Sequence, residues 1–212
     1  MGERYAYDIE AVARGYLSAV TAIGQEGPRI MQLRISEVLT YLDMNRAALE
    51  RTLAGVPAAM CELRPSPERW SVAEVLQHLA LVEGRITDLL ASRIGAARTA
   101  GLGPEREDSP VTPTFDMTRV LDRGRPITAG EAVLPNEPLD LSAARAMLED
   151  RRARLRAVMI SADGLALEHV TAPNRVLGTL NAYQWVLFVG AHEARHTAQI
   201  REVVAELSRV IQ

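Results

Sequence analysis

NAYQWVLFVGAHEARHTAQIREVVAEL, residues 181–207, places Trp185, Val189, His192, His196, Val203 and Leu207 on one side of a helix. Spacing by threes and fours marks an amphipathic α-helix. At about 1.5 Å per residue this one reaches roughly 40 Å, enough to run the length of a bundle. Asn181, with Gln184 three residues on, supplies a start signal. His192 and His196 lie one above the other on the inward face, so both imidazoles can converge on a single point.

Three further segments repeat this pattern. In RWSVAEVLQHLA, Ser71 and Glu74 form a capping box, and Trp70 and Val75 occupy hydrophobic-staple positions. The helix that follows is expected to run to about Arg98 with Val75, His78, Val82, Ile86 and Leu89 inward. Residues 30–53 place Ile35, Val38, Leu42, Leu49 and Leu53 on one face, interrupted by Asn45, and stop at Gly55-Val56-Pro57. Asn45 reads either as a pocket residue or as one that sets helix register. A third segment starts at Asp140 or Ser142 with Leu141, Ala144, Leu148, Leu155 and Val158 inward, and its run of Arg145, Arg151, Arg152, Arg154 and Arg156 reads as a solvated face.

Residues 101–138 carry no periodicity and are rich in Pro, Gly and acidic side chains. A connection of that length is expected to be a lid, or a crossover that returns the chain to the starting end of the bundle. Residues 5–23 are also helical in spacing and end at Gly24, Gly27 and Pro28. The expected architecture is therefore all-α: a four-helix bundle over residues 29–212, an N-terminal helical extension over residues 1–28, and no strands.

Composition narrows the function classes. A net charge of -3 offers no footprint for nucleic acid, and no apolar run is long enough to span a bilayer. Residues 1–6 carry mixed charge with no apolar core behind them, so no signal peptide and a cytoplasmic setting are expected. Every basic residue of the Lys/Arg class is Arg, which removes lysine nucleophiles and Schiff bases. The only cysteine, Cys61, excludes an intrachain disulfide and reads as a buried, inert thiol.

The chemistry concentrates in histidines. His78, His192 and His196 occupy core-facing stripes of two helices, where imidazoles are costly without partners. A pair four apart with a third from another helix reads as a divalent metal site, suited to Zn, Ni, Cu or Fe and leaving a position open for water or substrate. The letters HEARH also spell H-E-x-x-H, the zinc-peptidase pattern. The metzincin extension would require Gly at 199 and His at 202, but Gln199 and Glu202 stand there, and peptidase activity is not expected. Glu193 reads as a surface carboxylate or as a general base near the metal. His169 is expected to stabilise its loop.

RPSPERWSVAEVLQHLALVEGRI (residues 64–86) and EHVTAPNRVLGTLNAYQWVLFVGAHEARHTAQIREV (residues 168–203) resemble the DinB-like superfamily, which includes the YfiT-type proteins. The resemblance lies in W-S-x-x-E-x-x-x-H-L and H-x-x-x-H-x-x-Q-I. It implies a four-helix bundle of up-down-down-up order and a metal triad of His78, His192 and His196. Zn or Ni is the ion expected there. The resemblance also implies a small-molecule hydrolase, or a transferase using a low-molecular-weight thiol such as bacillithiol or mycothiol. The family's His-Pro pair is replaced by His169-Val170. A homodimer is expected; the rival reading is a non-catalytic, stress-related dimer that the metal stabilises.

Overall fold

A computed structural model describes residues 31–124 and 128–210; the expected extension over residues 1–28 lies outside the described residues. Four long helices form the frame: α1 Leu33–Ala54, α2 Val72–Thr99, α3 Leu141–Ser161 and α4 Ala182–Val210. Three of them start on side chains that satisfy orphan amides. The Ser71 hydroxyl accepts from the Glu74 amide while the Glu74 carboxylate accepts from the Ser71 amide at 2.8 Å. Asp140 accepts from the Ala143 amide at 2.7 Å, and Asn181 and Gln184 exchange hydrogen bonds of 2.9 and 3.1 Å.

Side-chain contacts give the order of the bundle. Glu83 meets Arg152, Asp88 meets Arg154, and Arg98 donates to the Ser161 carbonyl, so α2 and α3 run parallel. Arg46 meets Glu193 and Thr52 meets Arg201, so α1 and α4 also run parallel. Asp43 pairs with Arg156 and Glu50 with Arg145, which sets α1 against α3. These contacts define the up-down-down-up arrangement. Parallel neighbours need a long return connection, and residues 100–140 provide it.

That connection is pinned to the bundle. Glu37 on α1 accepts from the Val111 and Thr112 amides at 2.7 and 2.8 Å. Buried Glu105 accepts from Arg34 at 3.0 Å and from the Tyr183 hydroxyl at 2.7 Å. Arg195 on α4 donates to the Val120 carbonyl at 3.2 Å and also to that of Asp122, holding the one-turn helix Thr118–Leu121 against the bundle.

Strands occur where none was expected. β1 Thr171–Asn174 and β2 Gly178–Asn181 pair antiparallel, with Ala172 opposite Leu180 and both buried. Four-residue strands are too short to reveal alternation, and Pro173 makes the first read as loop. Gly178 adopts φ 82°, which L side chains rarely tolerate, as the chain re-enters the hairpin.

The core falls into two apolar clusters. One is built around Ile35, Val38, Leu42, Leu90, Leu155 and Leu187. The other contains Leu49, Leu53, Val75, Leu76, Leu148 and Ile200. Between them in the sequence of each helix sit charges. Arg152, only 6% exposed, donates to Glu83 at 2.6 Å, to Glu193 at 2.9 Å and to the Leu42 carbonyl at 3.1 Å. Arg46 adds a second donor to Glu193 at 2.9 Å. The expectation of a solvated arginine face holds for Arg145 and Arg154 but fails for Arg152, which lies four residues from Leu148 and therefore on the apolar stripe. Asn45 donates to the Tyr41 carbonyl at 2.8 Å within α1 and is 5% exposed. It sits where α4 approaches closely: a Cβ on Gly190 would lie 2.5 Å from the Tyr41 ring and 3.2 Å from the Asn45 amide.

Removing Arg152 leaves two buried carboxylates short of a cation. Arg152→Ala is expected to destabilise the fold by about 3–5 kcal/mol in urea unfolding. Arg154→Ala, at an exposed pair, should change stability by about 1 kcal/mol or less; equal effects would remove the buried layer as a determinant of stability.

Candidate metal centre

His78 on α2 and His192 and His196 on α4 come together as the residue stripes require. Their candidate ligand atoms all lie within 4.8 Å of one another. Ring centroids are 5.2 Å apart for His78–His192, 4.8 Å for His78–His196 and 4.4 Å for His192–His196. The two Nε2 atoms of His192 and His196 stand 3.1 Å apart. Such a separation needs a shared proton or a shared cation, and it is close to the edge, about 3.3 Å, of a tetrahedron with roughly 2.0–2.1 Å metal–nitrogen bonds.

Two rings are held by their far nitrogens. His78 Nδ1 lies 2.7 Å from the Val133 carbonyl, which can only accept, so Nδ1 carries the proton and Nε2 keeps its lone pair for the cluster. His196 Nδ1 donates to Gln199 Oε1 at 2.7 Å, with the same result. An acceptor on the far nitrogen fixes the tautomer and plane of a metal-ligating histidine in the same way. His192 stacks on Phe188, with centroids 5.6 Å apart, and Trp70 lies against His78 at 4.8 Å. Sequence reading treated Trp70 as a staple and missed its place over the site. Gln199 was legible by its position three residues after His196; the Val133 carbonyl was not, because it comes from the crossover.

Burial pushes the His78 imidazole below its ordinary pKa. Burial, then the neighbouring His196 and His78, push His192 well below it. His196 is lowered to about 3, by burial first, then by His78 and the guanidinium groups of Arg123 and Arg195. All three are therefore neutral at pH 7, the state that binds metal.

The triad lines a cleft of about 1200 Å³. Around it stand Trp70, Trp185 and Phe188, the crossover residue Val133, and the hairpin residues Asn174 to Leu177. Glu193 does not line this cleft. It is 1% exposed, its Oε2 accepts from Arg46 and Arg152, and its Oε1 has no hydrogen-bond partner among the described residues. It is thus neither the surface carboxylate nor a base facing substrate; it belongs to the ionic layer. His169 is exposed, 3.6 Å from Glu168, and takes no part in the triad. Glu202 and Glu206 pair with Arg123 and Arg69, away from any ligand role. Cys61 is buried, with its thiol raised by burial and by Glu62. Among the described residues, no helix is long and apolar enough to cross a membrane.

Fold and site together define a four-helix bundle with a histidine triad opening onto a cleft. Residues 41–200 match the DinB superfamily, and the chain belongs to it. It is 29% identical over 168 residues to protein YuaE of Bacillus subtilis (strain 168), across 78% of this chain and 97% of that protein. The crystal structure of TT2238, a four-helix bundle protein, superposes with a TM-score of 0.53 at 22% identity, covering 79% of this chain and 98% of that one. The latter similarity speaks for the fold.

The depressed imidazoles make stability pH-dependent. The unfolded chain takes up protons below the ordinary histidine value of 6.5 while the folded triad does not. Stability of metal-free protein is therefore full above pH 6.5 and falls as pH drops toward about 3, by up to roughly 1.4 kcal/mol per pH unit for each histidine. Urea unfolding across this range should give a shallower slope for His196→Gln than for the unmodified protein; identical slopes would exclude the triad as the source.

Proposed function

We propose that the chain is a metal-dependent enzyme acting on a small molecule, with His78, His192 and His196 as ligands of one Zn(II) or Ni(II) ion. The reading rests on one observation: neutral imidazoles from two helices turn nitrogens toward a common point, two of them held there by acceptors on their far side. Among the described residues the cluster has three members, so a four-coordinate ion would keep a position for substrate. This favours catalysis over a purely structural metal, which usually takes four protein ligands.

A bound divalent ion supplies Lewis acidity, lowering the pKa of a thiol or water so that it is nucleophilic near neutral pH. The protein's own contribution is orientation. Gln199 and the Val133 carbonyl hold the tautomers, Phe188 and Trp70 fix ring planes, and the ionic layer sets the rotation of α4. The reaction class is hydrolysis, or transfer of a low-molecular-weight thiol to an electrophile.

Protein purified without an affinity tag should carry one metal equivalent per chain by elemental analysis, lost in both His78→Ala and His192→Ala. Stoichiometric metal in both variants would sink the shared site. Gln199→Ala should weaken metal affinity by roughly 10–100-fold while leaving the fold intact. Turnover of ester or amide substrates with no thiol present would decide for hydrolysis over transfer.

A further inference from the structure

The cleft is charged against the balance of the chain. The sequence carries a net charge of -3, yet Arg69, Arg85, Arg119, Arg123, Arg175 and Arg195 line this cavity against only two carboxylates, Glu68 and Asp88. Those carboxylates are engaged elsewhere: Asp88 accepts from Arg154 at 3.0 Å and Glu68 from Ser66 at 2.9 Å. Of the arginines, Arg69 and Arg123 are paired with Glu206 and Glu202, Arg195 donates to two backbone carbonyls, and Arg175 donates to the Thr128 carbonyl at 3.1 Å. Arg85 and Arg119 are exposed and make no hydrogen bond or close ion pair among the described residues, although Arg119 lies near enough to the exposed Asp116 carboxylate to lower its pKa.

Their placement suits a ligand that spans the cleft. Arg85 is seven residues after His78, two turns along the same face of α2, or about 10 Å at 1.5 Å per residue. Val82 and Leu89, one turn to either side of Arg85, line the same cavity with Ile86, Trp185 and Phe188. Arg119 comes from the one-turn helix that Arg195 holds in place. The donor set adds a further reason. Three neutral imidazoles contribute no negative charge, so a divalent ion held by them would add its full charge to a cleft whose lining already includes Arg85 and Arg119, until an anion enters.

We propose that the cleft binds a small organic anion, with its carboxylate or phosphate group received by Arg85 and Arg119 and its carbon skeleton lying along Val82, Ile86, Leu89 and Phe188 toward the triad. This names the substrate class and rests on the reading of the cleft as the substrate site. Guanidinium groups match the planar, bidentate geometry of carboxylate and phosphate oxygens.

The chain has two tryptophans, Trp70 and Trp185, and both line the cleft, so intrinsic fluorescence reports its occupancy. The test titrates metal-free full-length protein with 4-phenylbutyrate and with its neutral shape match, 4-phenylbutyramide. The carboxylate should bind at least about tenfold more tightly, and Arg85→Gln and Arg119→Gln should each remove most of that preference. Equal affinity for the two probes, no binding of either, or an unchanged preference in both variants would overturn the proposal. Elemental analysis of the same variants keeps the two readings apart. Both exposed substitutions should retain the metal, so loss of anion preference with metal present concerns the substrate class alone. Absence of metal from the unmodified protein as purified, with the anion preference intact, would instead overturn only the metal reading.

Discussion

The guanidinium of Arg152 touches all the bundle helices at once. It extends from α3 to Glu83 on α2, Glu193 on α4 and the Leu42 carbonyl of α1, while Arg46 of α1 closes the set. Burying such charges is costly, and the cost is offset only when every partner is in place. Burial pushes the Glu83 carboxyl upward against the opposing pull of Arg152. The consequence is geometric: a planar fork engaging two carboxylates leaves little freedom to rotate or slide a helix without stranding a charge.

Glu193 makes that constraint matter for the site. It follows His192 directly and precedes His196 by three residues on the same helix. With Glu193 drawn into the ionic layer, the neighbouring His192 and His196 are turned toward α2 and His78. The glutamate of the H-E-x-x-H letters thus orients the histidines from behind. A zinc peptidase would need it in front, beside the reacting atoms.

The crossover completes what the helices begin. Its Val133 carbonyl selects the His78 tautomer, its one-turn helix carries Arg119 and Arg123 to the cleft, and Glu37, Glu105 and Arg195 fasten it to the frame. The long connection that parallel helices require topologically has therefore become the wall and roof of the cavity. The β-hairpin adds Asn174 to Leu177 to the lining, with Trp185 Nε1 donating to the Ala172 carbonyl at 3.3 Å and joining it to α4.

Helices, caps and the histidine pair were legible in the sequence because they depend on spacing within one element: Ser71 with Glu74, Asn181 with Gln184, His192 with His196; His78 was legible as an imidazole on the inward stripe of a second helix. The parallel pairing was legible only through the length of the connection. Arg152 carried a readable signal, its place on the stripe through Leu148 and Leu155, but its charge type argued for solvent more strongly than its position argued for the core. Glu193 was misread for the same reason. The hairpin escaped because two strands of four residues have too few alternations to register. By itself the sequence determined which residues form helices and which faces carry imidazoles, since local hydrogen bonding and periodicity are written in nearest neighbours along the chain. Only the tertiary structure decided which charges are buried together, which carbonyl holds His78 and which arginines line the cleft, because those relations join residues far apart in sequence through a shared three-dimensional packing.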